Sequence, residues 1–249
     1  MNARVALITG GGRGIGAATA VLAARAGYDV GVNYATDAAS AAKVVSACRA
    51  LGVRSVAFAA DIASPAEVAA LFVACDNALG QPDLLVNNAG IIGQASRVEG
   101  LESEVLRRTF EINVFGAIFC AQQAVQRMST ARGGRGGVIV NLSSIAATLG
   151  SPGEYVHYAA SKGAIETFTI GLAKEVGREG IRVNAVQAGT TDTEIHVRSG
   201  NPDRPSQVAR HAPLGRVATP DDIAQAILWL ASEQASYATG TILRIGGGL

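Results

Sequence analysis

Short apolar runs rich in β-branched residues alternate along the chain with longer, alanine-rich stretches of helical periodicity. The runs fall at 5–9, 29–34, 55–59, 84–87, 138–142 and 182–186. None alternates strictly between apolar and polar positions, as a half-exposed strand does, so each reads as a strand covered on both faces. Helical patterns occupy 17–26, 38–51, 65–79, 102–112, 116–128, 158–176 and 220–231. Strand and helix in regular turn predict an α/β fold with a parallel sheet. Two segments break the rhythm. Residues 132–137 form a glycine-arginine turn, and 190–212, polar and carrying Pro202 and Pro205, is long for a loop and reads as a mobile lid over a substrate.

The first strand runs into Thr9-Gly10-Gly11-Gly12-Arg13-Gly14-Ile15-Gly16, and a helix follows at once. Glycines in this place let the backbone turn sharply and approach a pyrophosphate, whose charge meets the N-terminal amides of the helix. The position after strand one points to a doubly wound, Rossmann-type parallel sheet of about seven strands, with helices on both faces and a dinucleotide at the carboxyl ends of the strands. One domain over residues 1–249 is expected. The tip of the second strand, Asn33-Tyr34-Ala35-Thr36, carries no carboxylate to bind a ribose hydroxyl, and Arg13 can reach a 2′-phosphate. NADP(H) is therefore preferred. Asp37, a few residues on, keeps NAD(H) open as the alternative.

Tyr158 and Lys162 stand four residues apart on a predicted helix and share one face. A phenol titrates near ~10, and a neighbouring ammonium favours the phenolate, bringing the group nearer to neutral pH. That pairing makes tyrosine a usable proton donor.

Composition narrows the field further. Lys and Arg total 21 against 20 Asp and Glu, so no global field draws nucleic acid or a membrane surface. Met1-Asn2-Ala3-Arg4 leads directly into the first strand, leaving no room for a signal peptide, and no apolar run is long enough to span a bilayer; a soluble cytoplasmic protein is expected. Cys48, Cys75 and Cys120 are odd in number and far apart, and His157, His196 and His211 lack ligand spacing, so no metal or disulfide framework is expected.

Taken together, these features resemble the short-chain dehydrogenase/reductase family over essentially the whole chain. Thr9-Gly10-x-x-x-Gly14-x-Gly16 is similar to that family's cofactor turn, Asp61-Ile62 to its adenine-contacting pair, and Asn87-Asn88-Ala89-Gly90 to its fourth-strand motif. Asn113, Ser144, Tyr158 and Lys162 follow in the order of its catalytic tetrad. The stretch around Leu149 to Tyr155 and the Asn33-Tyr34 tip look like sugar-dehydrogenase-like and 3-oxoacyl-carrier-protein-reductase-like members. The resemblance implies hydride transfer between NADP(H) and a carbonyl or secondary alcohol. Tyr158 is then the general acid, Lys162 its pKa-lowering neighbour and a ribose ligand, Ser144 the holder of the carbonyl oxygen, and Asn113 the support of a water leading protons to Lys162. Ser143 competes with Ser144, since adjacent strand residues face opposite ways.

The implied cofactor contacts are Gly10, Arg13, Gly14, Ile15 and Gly16; Asn33, Tyr34, Asp61 and Ile62; Asn88, Ala89 and Gly90; Tyr158 and Lys162; and Gly189, Thr191 and Thr193, with Thr193 meeting the carboxamide. Ala188 stands where the family usually has proline, which predicts a looser turn and altered cofactor affinity. A pocket of Ile92, Ile145, Leu149 and Tyr155 suits a ketone with an apolar arm, with Glu154, His157 and Gln187 as polar options. Arg127, Arg132, Arg135, Lys174 and Arg178 suggest a landing surface for an acyl-carrier protein. The resemblance also implies a homotetramer, built on the helices 116–128 and 158–176 and a carboxyl-terminal interface. Two readings remain beside the reductase: an NAD-dependent alcohol or sugar dehydrogenase, and a dinucleotide-sensing or scaffold protein without chemistry.

Overall fold

A computed structural model describes residues 4–249, apart from the side chains of His196 and Arg198. The expectation for Met1 to Ala3 therefore lies outside the described residues, as does the side chain of His196.

The strands are β1 (Val5–Ile8), β2 (Asp29–Tyr34), β3 (Ser55–Ala59), β4 (Leu84–Asn87), β5 (Gly137–Ser144), β6 (Ile181–Ala188) and β7 (Ile242–Ile245). They form one parallel sheet in the order β3-β2-β1-β4-β5-β6-β7. Every predicted strand is present, and β7 supplies the seventh. Between them lie α1 (Gly14–Arg25), α2 (Ala38–Ala50), α3 (Pro65–Ala78), α4 (Ser103–Phe110), α5 (Ala117–Met128), α6 (Ala146–Leu149) and α7 (Val156–Val176). After β6 come α8 (Ile195–Arg198), α9 (Arg204–Ala209) and α10 (Pro220–Ala231).

Side chains of a strand alternate between faces, and here both faces are covered. Ala6 and Ile8 join Val30, Val32, Leu84, Val86 and Val140 under α1, α2 and α10. Val5 and Leu7 join Phe58, Leu85, Ile139 and Val183 under α3, α5 and α7. This explains why the strands read as continuous apolar runs. The helices are small on their inner faces, as with Thr19, Ala20, Ala23 and Ala24 of α1, which lets them lie close to the sheet.

Several helix ends are written locally. Ser64 accepts from the Glu67 amide ahead of Pro65 in α3, and Thr219 with Asp222 closes a reciprocal capping box on α10. Between α4 and α5, where the sequence pattern predicts a break between helices 102–112 and 116–128, the chain continues through one π-helical turn, Glu111–Gly116. Such turns change the rotation of the helix and re-aim a side chain, here Asn113.

Strand order reverses at β1, which has β2 on one side and β4 on the other. At that switch point the connections leave in opposite directions and open a crevice beyond the carboxyl ends. A cavity of about 840 Å³ occupies it, within the range of small-molecule sites.

Segment 190–212 differs from an unstructured loop. It holds α8 and α9, and it is stitched to the body where Asp192 N donates to Ala218 O at 2.9 Å and Ala218 N to Thr190 O at 3.0 Å. The turn at Ala188 is likewise held without a proline ring: Gly189 N donates to Ile245 O at 2.8 Å, and Ile145 N to Ala188 O at 2.9 Å. The loosening expected from the missing proline has no counterpart in this bonding.

Candidate active site

The glycine turn is clamped from both sides. Thr9 Oγ1 accepts from the amides of Asn88 and Ala89 at 3.0 and 3.1 Å, and Asn88 Nδ2 donates to the carbonyls of Thr9 and Gly10 at 2.9 and 3.0 Å. From β2, Asn33 Oδ1 accepts from Gly10 N at 3.2 Å, while Asn33 O accepts from Gly11 N at 2.8 Å. Two positions need glycine sterically. Gly10 lies at φ +59°, and a Cβ there would stand 2.9 Å from Ala89 Cα; one at Gly16 would stand 2.5 Å from both Asn88 Nδ2 and Gly10 O. The backbone is thus left bare at the helix N-terminus, where a pyrophosphate can approach.

Asn33 lines the cavity as expected, and its side chain also braces the turn: its Nδ2 donates to Ala60 O at 3.0 Å and Phe58 O at 3.3 Å, tying β1, β2 and β3 together. Arg13 and Asp37 face each other at 3.7 Å. Asp37 also accepts from Ser40 N at 3.0 Å and Ser40 Oγ at 2.7 Å, capping α2. Asp61 meets Arg108 at 2.6 Å. Burial opposes its ionisation, but the Arg108 hydrogen bond and the Ala63 amide outweigh that and hold the carboxyl below its ordinary range. Arg108 is a wall residue that sequence did not single out, because nothing in its spacing links it to Asp61.

At the other end of the same cavity stand Ser144, Tyr158 and Lys162. Ser144 and Ser143 end β5 and face opposite ways. Ser143 Oγ donates to Glu166 Oε1 at 2.7 Å and is buried, while Ser144 lines the cavity with Tyr158, its Oγ accepting from Ala146 N at 3.2 Å. Lys162 is buried, its Nζ donating to Leu142 O at 2.7 Å and standing 5.7 Å from the Tyr158 ring centroid.

The electrostatics differ from the sequence expectation that Lys162 lowers the Tyr158 pKa. Burial pushes the phenol above its ordinary value, while the Ser144 hydrogen bond and the Arg204 charge pull downward without prevailing. Lys162 is itself pulled down to about 8 by burial. A cation that its own surroundings discourage is a weak perturber of its neighbour.

Asn113 does not line the cavity. Its Oδ1 accepts from Ile91 N and its Nδ2 donates to Ile91 O, both at 2.8 Å, with a further bond to Ser161 Oγ at 3.0 Å. It pins the loop after β4 to α7. Gly90 fits beside it because a Cβ would stand 3.1 Å from Asn113 Oδ1 and 3.4 Å from Lys162 Nζ.

The remaining predicted contacts divide cleanly. Gly10, Arg13, Gly14, Ile15, Tyr34, Ile62, Ala89, Gly189, Thr191 and Thr193 line the cavity, whereas Gly16 lies beneath it. Thr193 packs on the turn, its Cγ2 3.1 Å from where a Gly14 Cβ would be. Ile92, Ile145, Leu149 and Tyr155 line the substrate end as expected. Gln187 and His157 do not: Gln187 donates to Glu166 Oε1 at 2.8 Å, and buried His157 pairs its Nε2 with Ile92 O at 3.0 Å. Both are turned into the protein because their strand and helix positions face the core.

The basic residues also fall elsewhere. Arg127 ends α5, Arg132 and Arg135 precede β5, and Lys174 and Arg178 precede β6. All five therefore sit at the amino end of the strands, across the sheet from the cavity, where Arg127 pairs with Asp76 and Arg135 with Asp83. Among the described residues no metal-holding cluster occurs, and Cys48, Cys75 and Cys120 are buried, with burial pushing Cys75 and Cys120 to about 12.

A parallel sheet with its cavity at the switch point, a bare glycine turn and a tyrosine-lysine pair together define a dinucleotide-dependent oxidoreductase class. The family model described as enoyl-(acyl carrier protein) reductase matches residues 10–249. An uncharacterized oxidoreductase of Escherichia coli is 46% identical, covering 98% of this chain and 99% of that protein. L-rhamnose 1-dehydrogenase (NAD(P)(+)) of a Sphingomonas species is 37% identical, covering 100% of this chain and 97% of its own. A short-chain dehydrogenase of Burkholderia cenocepacia, solved in complex with NADP, superposes with a TM-score of 0.90 at 35% identity, covering 99% of this chain and 98% of that one. The chain belongs to the short-chain dehydrogenase/reductase family. No helix among the described residues is long and apolar enough to cross a membrane.

Proposed function

We propose that this protein reduces a carbonyl with NADPH, or runs the reverse oxidation of a secondary alcohol. The observation that carries the reading is the meeting of Ser144, Tyr158 and Lys162 in one cavity with the bare glycine turn. The residues fit a dinucleotide: Gly10, Gly12 and Gly14 present backbone without side chains to the cavity at the start of α1, and Gly16 beneath them leaves the turn room to pack. Gly10, Gly14 and Ile15 would hold the pyrophosphate, Asp61 and Ile62 the adenine end, and Ala89, Gly90, Gly189, Thr191 and Thr193 the nicotinamide end. The bound cofactor supplies the hydride that reaches the carbonyl carbon.

Tyr158 donates its phenolic proton to the carbonyl oxygen, completing the alcohol, and Ser144 holds that oxygen by hydrogen bond. A phenol kept protonated by burial is the form a reductase needs before the step. Lys162, charged below about 8, stabilises the phenolate after it and donates to the ribose. Asn113 acts at one remove, pinning the Ile91 backbone and α7 so that the three groups keep their spacing. A sensing role without chemistry leaves this arrangement unexplained.

We favour NADP(H) because Arg13 lines the cavity close to the end of β2, and Asp37, 3.7 Å from it, is engaged in capping α2. Replacing Arg13 with alanine is expected to weaken NADPH binding by about tenfold, the scale of a charge-assisted hydrogen bond, and to leave NADH binding within about twofold. Parallel fluorescence titrations with the two cofactors measure this, and equal losses for both would return NAD(H) to an equal footing.

The assembly we propose is a homotetramer. Gly163 and Gly171 on α7 have nothing within 4 Å of a built Cβ, and Phe115 and Ile170 are exposed apolar side chains. These face outward, as a helix-pair interface requires. Light scattering is expected to give four copies, and a stable monomer would remove the proposal. The chemical reading is tested by following NADPH oxidation over an acetoacetyl thioester, a diketone, an aryl ketone and a ketosugar. No turnover with any of them, together with no NADPH binding, would sink it.

A further inference from the structure

Arg204, the first residue of α9, lines the cavity that Tyr158 shares. Its guanidinium lies over the ring of Tyr155, 5.4 Å from the centroid, and the buried ring fixes its height above the wall. One nitrogen, Nη1, donates to Glu154 Oε2. The two charges are not equivalent in placement. The Glu154 side chain is 41% exposed against 24% for Arg204, and among the described charged residues Arg204 is the one whose charge acts on Tyr158. The carboxylate therefore points outward and the guanidinium inward, toward the reacting end.

The neighbouring wall is apolar, formed by Ile92, Ile145, Leu149 and Val208. Of the acidic residues in 190–212, Asp192 and Asp203 are exposed and lie outside the cavity lining, and Glu194, which does line it, is exposed and has its own partner. A guanidinium offers five N–H donors in a planar fork, and Glu154 engages one of its nitrogens. The rest can receive a second carboxylate at this partly buried position, and charge-assisted bonds strengthen as water is displaced from around them.

We propose that Arg204 selects the substrate: the site takes an oxo acid or the matching hydroxy acid, its carboxylate against the Arg204 guanidinium and its carbonyl oxygen between Tyr158 and Ser144. Glu154 occupies the guanidinium in the absence of substrate and competes with it. The inference rests on the oxidoreductase reading above and adds the charge of the substrate.

The test compares phenylpyruvate and acetoacetate with their methyl esters, which keep the carbonyl and lose the charge. In the wild-type protein kcat/KM for the acids is expected to exceed that for the esters by at least about tenfold. Arg204→Met should bring the ratio near one by lowering the acids far more than the esters, while Glu154→Gln should raise it by removing the competitor. Unchanged NADPH affinity and melting temperature certify that the variants fold. Equal rates for acid and ester in the wild type overturn the proposal. So does a loss shared equally by acids and esters in both variants, which would make the pair a lid latch. If nothing on the panel turns over, titration of each acid and ester into the protein saturated with NADP⁺ decides separately. Acid binding that exceeds ester binding and disappears in Arg204→Met supports the inference while the reductase reading fails; no preference for the acid overturns the inference.

Discussion

Tyr158→Phe is expected to lower the rate of carbonyl reduction by about 10²–10⁴-fold, or roughly 3–5 kcal/mol of barrier, and to leave NADPH affinity within about twofold. The change removes one oxygen from a side chain that is only part-exposed at the cavity wall, so the ring and its packing stay. What disappears is the proton that must reach the substrate oxygen, and Ser144 cannot replace it because an ordinary hydroxyl gives up a proton far less readily. Stopped mixing with NADPH and a turned-over ketone measures both quantities. Retained turnover in the variant would exclude the phenol as the acid.

The same groups set the expected pH dependence. Burial draws the Lys162 ammonium down to about 8 and pushes the Tyr158 phenol above its ordinary value. Below about 8 both carry their protons, and above it the lysine loses its charge first. In the wild-type protein, kcat/KM for NADPH in the direction of reduction should therefore fall as pH rises through about 8, since this ratio reports on the cofactor-free protein.

The second large effect is steric. Gly16→Ala places a methyl carbon 2.5 Å from the Gly10 carbonyl oxygen and from Asn88 Nδ2, closer than real contacts allow. Gly10 is backbone, and Asn88 is held by two carbonyls of the same turn, so neither moves without shifting the phosphate cradle. A loss of about 1–3 kcal/mol in stability is expected, with NADPH binding weakened at least about tenfold. Gly177→Ala is the matched control. Its φ is −59° and nothing lies within 4 Å of its added Cβ, so stability should stay within about 0.5 kcal/mol. Wild-type NADPH affinity in Gly16→Ala, measured by fluorescence titration, would show that the turn does not need a bare backbone there.

How far the site was legible depended on whether function resides in local sequence. The glycine turn, Tyr158 with Lys162, and Ser144 with Ser143 are local patterns, and their contacts follow from strand and helix periods. Arg204 gives no such signal. It lies in a polar stretch between two prolines, indistinguishable in sequence from surface arginines, and it reaches the cavity only because α9 folds back over β5 and β6 ends. Arg108 meets Asp61 across 47 positions of chain. The five basic residues were legible as charges but not in their place: they lie at the end of the sheet opposite the cavity, because a helix of a parallel unit delivers its carboxyl end to the start of the next strand.

By itself the sequence determined the alternation of strands and helices, the parallel sheet covered on both faces, the phosphate turn and the order of Asn113, Ser144, Tyr158 and Lys162. Each of these rests on spacing within one element or between neighbours, which covalent geometry transmits directly. Only the tertiary structure decided that Asn33 braces the turn, that Gln187 and His157 face the core, that burial dominates the Tyr158 and Lys162 equilibria, and that Arg204 stands over the reacting end. Those facts depend on which distant segments meet and on how much water they exclude, and neither quantity is carried by any local stretch of chain.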